Sequence, residues 1–241
     1  MTEIMKLKVC GMKYQDNIID VAALQPDYLG FIYYDKSKRF FKGEIPELPG
    51  HIKKVGVFVD ASIEFIMDKI EKDALEVIQL HGNETPGFCK KLKDSYHSAA
   101  IAFGNAESMS STNKMLNQVQ HDTNIEIIKV FSIKDSFNFS VLEDYQEVCD
   151  YYLFDTKGKL PGGNGFTFDW NLLNEYPSNK PFFLSGGIGM EEIENLKEFL
   201  KSKASKYCHA IDVNSKFEIE PGLKKVGLLE EFKKYITSSG F

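Results

Sequence analysis

Short, continuously apolar runs recur along the chain, with amphipathic or polar stretches between them. The runs that read as strands cover 7–10, 28–33, 54–59, 77–80, 125–131, 151–155, 182–184 and 210–213. Several, such as VGVFV at 55–59 and EIIKVF at 126–131, are unbroken rather than alternating. An unbroken run suits a strand covered on both faces, as in a parallel sheet. Helical patterns lie between the runs. Ile63, Ile66, Met67 and Ile70 share a face within 63–72, Ile193, Leu196 and Leu200 within 190–200, and Leu229, Phe232 and Ile236 within 226–236. Eight strands alternating with helices gives about one βα unit per 30 residues. The pattern predicts an α/β fold, a (β/α)8 barrel forming a single domain over 1–241, with an open doubly wound sheet as the alternative.

Two stretches fit this alternation poorly. Residues 42–53 contain Pro46, Pro49 and Gly50, so the helix after the second strand is expected to be short or broken. Residues 104–124 are polar, with three serines, two threonines and four asparagines. They read as a surface insertion ahead of the fifth strand, with room for a short helix at 114–120.

Composition narrows the function classes. With 43% hydrophobic and 27% charged residues among 241, the chain can bury a core of normal size. A formal net charge of −6 and a pI near 5.5 disfavour nucleic acid as a partner, because such binders concentrate basic surface to displace counterions. A small anionic substrate stays open, since a few local donors decide that. No apolar run approaches the roughly 18 residues of a membrane span, and residues 1–7 lack a signal-peptide stretch, so no membrane association is expected. Cys10, Cys89, Cys149 and Cys208 are scattered without a CxxC pair. That pattern suits reduced thiols in a cytoplasm better than a disulfide framework or a zinc site.

In such a barrel the chemistry lies at the C-terminal ends of the strands and in the loops that follow. This picks out Cys10 after the first strand, Arg39 after the second, His81 after the fourth and Asp155 after the sixth. It adds Gly186 and Gly187 after the seventh strand, and Asp212, Asn214 and Ser215 around the eighth. Glycines ahead of a helix that starts near Met190 would let backbone N–H groups approach an anion, and the turn after strand eight would complete a phosphate site; tight turning is the simpler role for a lone Gly-Gly. Residues 161–165 (PGGNG) read either as a hinged lid or as a plain flexible loop. An ordinary thiol has a pKa of about 8.5, so Cys10 would need its thiolate stabilised to act as a base. Asp155 ends an otherwise apolar strand, where it either caps the next turn or faces the barrel mouth.

Eight motifs occur in the order found in phosphoribosylanthranilate isomerases, and the chain resembles that family over nearly its whole length. They are KVCG (8–11), DYLGFIYYDKSKRF (27–40), VGVFVD (55–60), VIQLHGNE (77–84), LFDT (153–156), GGNGFTFDW (162–170), LSGGI (184–188) and AIDVNSKFEIEPGLKK (210–225). The resemblance implies a (β/α)8 barrel that converts N-(5-phosphoribosyl)anthranilate to 1-(2-carboxyphenylamino)-1-deoxyribulose 5-phosphate in tryptophan biosynthesis, with neither metal nor cofactor. It implies that Asp155 is the general acid and Cys10 the general base, and that Arg39 holds the anthranilate carboxylate. His81 and Asp212 would line the substrate site, and Gly186, Gly187, Asn214 and Ser215 would take the phosphate. The expected partner is the small phosphorylated substrate, and the expected assembly a monomer or homodimer. Many relatives carry Ser-Ser-Gly after strand eight, whereas this chain has Asn214-Ser215-Lys216, a change that bears on phosphate geometry and adds a charge.

Two kinds of alternative fit the sequence less well. Another phosphosugar barrel, an indole-glycerol-phosphate synthase or a ribulose-phosphate epimerase, would call for a catalytic lysine near the start of the barrel or for metal-binding histidines at strand ends. Cys10 occupies the first position, and His51, His97 and His121 lie away from the expected strand ends. A non-catalytic barrel that binds a phosphorylated ligand or a protein is disfavoured by the presence of both Cys10 and Asp155.

Overall fold

A computed structural model describes residues 5–108, 124–156 and 167–238. Eight parallel strands close into a barrel: β1 (Lys6–Cys10), β2 (Tyr28–Ile32), β3 (Lys53–Phe58), β4 (Val77–Leu80), β5 (Glu126–Ile133), β6 (Tyr151–Thr156), β7 (Phe182–Leu184) and β8 (Cys208–Val213). Pairing of β1 with β8, Lys8 beside Asp212, closes the ring and excludes the open sheet. Every predicted strand is present, with ends shifted by a few residues at most.

The outer layer is less regular than the repeat predicts. Five α-helices are described: α1 (Gln15–Ala23), α2 (Ile63–Asp73), α3 (Pro86–Ser108), α4 (Ile193–Leu200) and α5 (Val226–Ser238). Ser62 caps α2 by accepting the N–H of Phe65, and Ala74 ends it in the left-handed conformation. No helix joins β2 to β3, as the prolines required. The helix expected over 190–200 begins with a 3₁₀ turn, Met190–Glu192, that leads into α4. Units five and six carry 3₁₀ turns, Phe139–Tyr145 and Trp170–Glu175, where full helices would otherwise stand. Large rings fill the space: Phe137, Phe139 and Tyr176 pack edge-on against Phe154 of β6. The first residues of the expected insertion, 104–108, continue α3 as helix. The rest of it, including the suggested helix at 114–120, and the glycine-rich 161–165 segment lie outside the described residues.

Two cores follow from the strand alternation. The larger one lies between sheet and outer layer and includes Leu7, Val9, Leu29, Phe31, Phe154 and Phe182. The smaller one fills the lower barrel with Tyr28, Val55, Val77, Ile128, Leu153, Phe183 and Ala210. A step of two residues along a strand keeps a side chain on the same face. From Val77, Leu153, Phe183 and Ala210 it leads to Gln79, Asp155, Ser185 and Asp212, all of which line a pocket at the C-terminal mouth. The apolar plug is thus the floor on which polar side chains stand.

Candidate active site

The pocket has a volume of about 480 Å³, and its walls include all nine residues singled out in the sequence: Cys10, Arg39, His81, Asp155, Gly186, Gly187, Asp212, Asn214 and Ser215. Strands β1, β6 and β8 and the loops after β2, β4, β7 and β8 supply them.

Cys10 is 4% exposed and stands opposite Gly30 in the β1–β2 register. Burial pushes its thiol above the ordinary value; the Lys8 ammonium pulls the other way, and Asp212 adds to the rise. Asp155 closes β6. Its Oδ1 accepts the N–H of Thr156 at 2.9 Å, and its Oδ2 lies 3.4 Å from His81 Nε2. His81 therefore does more than line the mouth: it faces the carboxylate directly. Its other ring nitrogen, Nδ1, is 3.4 Å from Gln79 Nε2.

Arg39 comes from the loop after β2, and Glu218 grips it. Nε lies 2.8 and 3.0 Å from the two carboxylate oxygens of Glu218, and Nη2 donates to Oε2 at 2.7 Å. Glu218 opens β9 (Glu218–Glu220), which pairs antiparallel with β10 (Leu223–Lys224) to form a small hairpin after β8. Lys224, fully buried, donates from Nζ to Glu218 Oε1 and to Asn214 Oδ1, both at 2.8 Å. Burial works against the Glu218 charge, yet Arg39 and Lys224 outweigh it and hold the carboxyl below its ordinary value. The hairpin thus ties the guanidinium to the loop after β8.

Gly186 and Gly187 have φ of +90° and +71°, a conformation that favours glycine and leaves successive N–H groups free to form an anion-binding concavity. A Cβ at Gly186 would run into the Thr156 backbone. Asn214 and Ser215 face the same pocket from the turn after β8.

Lys8, Ser185, Gln79, Glu218 and Lys224 were not anticipated. For Lys8 and Gln79 a signal existed, a polar residue inside an apolar strand run. For Glu218 and Lys224 none did, because the hairpin carries no periodic pattern.

With this geometry in view, comparison with known proteins is decisive. A family model described as N-(5'phosphoribosyl)anthranilate (PRA) isomerase matches residues 7–125 and 116–235. The chain belongs to the N-(5'-phosphoribosyl)anthranilate isomerase family. Among curated relatives, the isomerase of Parabacteroides distasonis is 37% identical over 96% of this chain and 93% of its own length. That of Phocaeicola vulgatus is 36% identical over 95% and 96%. The crystal structure of the Thermotoga maritima phosphoribosyl anthranilate isomerase superposes with a TM-score of 0.71 at 27% identity, covering 98% of this chain and 100% of the other. Another solved isomerase, in complex with reduced 1-(o-carboxyphenylamino)-1-deoxyribulose 5-phosphate, reaches 0.67 at 25% identity over 98% and 100%. A 3-hexulose-6-phosphate synthase, at 10% identity and a TM-score of 0.52, shares the fold alone.

The chain is accordingly an enzyme of tryptophan biosynthesis that isomerises phosphoribosylanthranilate. The structure accounts for the charge of Lys216, which follows Asn214-Ser215. Lys216 binds Glu191, so the loop after β8 is pinned to the turn after β7, and Lys216 does not line the pocket.

Proposed function

We propose that this pocket performs the isomerisation as an Amadori rearrangement of N-(5-phosphoribosyl)anthranilate to 1-(2-carboxyphenylamino)-1-deoxyribulose 5-phosphate, with Asp155 as acid and Cys10 as base. The observation that carries the reading is that both residues line one pocket with Arg39 and the Gly186–Gly187 turn. Asp155 gives a proton to the ribose ring oxygen, the C1–O bond breaks, and the nitrogen lone pair forms a C1=N iminium. The Cys10 thiolate takes the C2 proton, and those electrons move to give an enolamine. Tautomerisation leaves a ketone at C2 and two hydrogens on C1. C2 is oxidised and C1 reduced, so the step balances within the substrate. Burial makes the Cys10 thiolate scarcer and also more basic, which favours removal of a carbon-bound proton.

Arg39 would meet the anthranilate carboxylate with Nη1, which has no partner among the described residues while Nε and Nη2 engage Glu218. The phosphate would sit on backbone N–H groups of Gly186, Gly187 and Ser215, with Asn214 beside them. His81 would restrain Asp155, and Asp212 would support the floor beneath the sugar. A solved relative in complex with reduced 1-(o-carboxyphenylamino)-1-deoxyribulose 5-phosphate, which carries both a carboxylate and a phosphate, supports this class of ligand. We further propose a cytoplasmic enzyme, monomeric or homodimeric. All four cysteines are free and buried, no described helix is long and apolar enough to cross a membrane, and a dimeric relative is known from Thermotoga maritima.

The test is direct. Purified protein should deplete phosphoribosylanthranilate, followed as loss of anthranilate-type fluorescence, with chelator present. Cys10→Ser and Asp155→Asn should each lose most of kcat while retaining ligand binding. Near-wild-type kcat in either variant removes that residue from its role, and no turnover by folded wild-type protein removes the reaction.

A further inference from the structure

Lys8 is 0% exposed. It precedes Cys10 by two residues in β1, so both side chains point inward. In the β1–β8 register it stands beside Asp212, and its Nζ lies 2.8 Å from Asp212 Oδ1. Ser185 Oγ donates to the other carboxylate oxygen at 3.2 Å. Burying such a pair is costly, and apolar replacements of buried pairs are often no less stable, so stability alone gives little reason for an ammonium here.

Function does give one. The charged groups that act on Cys10 are Lys8 on its own strand, Asp212 on β8 and Lys224 on β10; Gly30, on β2, brings none. Lys224 is committed to Glu218 and Asn214. Lys8 is committed to Asp212 and stands two residues before Cys10 on the same face of β1, where its charge favours the thiolate. Burial opposes its charge, but Asp212 and Cys10 outweigh burial and hold its pKa above the ordinary value, so it is an ammonium throughout the working range.

We propose that Lys8 is a positioning residue for the reaction: held by Asp212 and Ser185 beneath Cys10, its ammonium stabilises the Cys10 thiolate. This rests on the reading of Cys10 as the base. Asp212 then has a second task, to moderate that charge, and the balance between the two sets how much thiolate is present. The opposing signs make the idea testable from both sides.

The experiment measures alkylation of Cys10 by iodoacetamide across pH 6.5–9.5, read by mass of the Cys10 peptide, beside the pH dependence of kcat. An opposite charge at close range moves a pKa by about 1–3 units. Lys8→Met is expected to displace the alkylation profile upward by about one pH unit. Lys8→Arg should restore most of it, and Asp212→Asn should displace it downward. The rising limb of kcat should follow each displacement. A folded Lys8→Met protein with an unmoved alkylation profile overturns the proposal. Should Lys8→Met fail to fold, the Asp212→Asn profile decides: a downward shift supports the proposal, and no shift or an upward one overturns it. If alkylation moves while kcat at every pH does not, the influence of Lys8 on the Cys10 thiol stands but Cys10 is not the base.

Discussion

Replacing Gly30 with alanine should damage turnover far more than stability. Gly30 faces Cys10 across the β1–β2 register, and a Cβ built there would lie 2.9 Å from Cys10 Sγ and 3.1 Å from Cys10 Cα. Comfortable non-bonded separations are about 3.5–4.0 Å, so something must yield by roughly half an ångström or more. Gly30 is in ordinary strand conformation, so the penalty is steric and not a matter of backbone strain. Overpacking of this kind costs about 1–3 kcal/mol. In a chain of this size each kcal/mol moves Tm by about 2–4 °C. The sulfur ends a short side chain and can swing aside, which places the cost near the lower bound. That same swing moves the reacting atom, and a misplacement of about 1 Å can cost about 100-fold in rate. The expected result is a Tm lowered by about 2–6 °C, a kcat lowered about 30- to 100-fold, and a KM changed less than about threefold. Arg39 and the Gly186 turn, which would grip the two ends of the substrate, are not touched. Gly227→Ala in α5, where an added Cβ meets nothing within 4 Å, is the matched control and should leave kcat unchanged. Fluorescence-detected turnover and thermal melting on the same samples read both quantities. A Gly30→Ala enzyme with wild-type kcat would show that β2 does not set the sulfur position, and the reasoning would fail.

Other predictions follow from features away from Cys10. Burial, with help from Lys6 and Lys53, lowers His209 to about 4, and Nε2 of the neutral ring shares a 2.8 Å hydrogen bond with the Tyr28 hydroxyl. The unfolded chain then takes up the proton first, so this stability is present above pH 6.5 and is lost as pH falls towards 4. Denaturation at pH 7 and pH 4 should show about 1–2 kcal/mol more loss in the wild type than in His209→Gln, the figure being reduced for solvent screening; equal losses would count against it. Lys129 is buried between β4 and β5, bonding Glu84 at 2.9 Å and Gly82 O at 2.7 Å. Lys129→Met should cost about 3 kcal/mol in urea unfolding, and a cost under 1 would mean that Glu84 is satisfied by N–H groups alone. Lys36 and Lys38 are exposed on the pocket rim with no ion-pair partner among the described residues. Lys36→Glu/Lys38→Glu should lower kcat/KM about tenfold at low ionic strength, with the deficit shrinking in 0.5 M salt and kcat preserved. A deficit independent of salt would rule out steering.

The barrel was legible in the sequence because its strands are buried on both faces, so each one shows as a mainly apolar run whatever surrounds it. The outer layer was legible only in part: α2, α4 and α5 showed through their apolar faces. Helix α3 went unpredicted since Cys89 and Leu92 are its only fully buried side chains over the residues whose burial is described, too few to mark a face. The 3₁₀ turns of units five and six rely on aromatic packing from other elements, which no local pattern reveals. The pocket itself was legible through strand ends and motif order, and all nine expected residues meet there. What stayed hidden was the second member of each charged pair. Lys8 and Asp212 are 204 positions apart, Arg39 and Glu218 179, and Lys129 and Glu84 45. A lysine inside an apolar strand still says something on its own. An unpaired ammonium cannot be buried without a large penalty, so LKVC and IIKVF each require a carboxylate or a set of carbonyls nearby. The sequence therefore implies that a partner exists without naming it, and only closure of the barrel selects which one. The selection matters chemically. Lys129 spends its charge on the loop that carries His81, whereas Lys8 places its charge beneath Cys10, the residue we propose as the base. On this proposal the buried lysines of the barrel strands divide between holding a loop in place and setting the charge at the base, and the division follows from which strand each lysine interrupts.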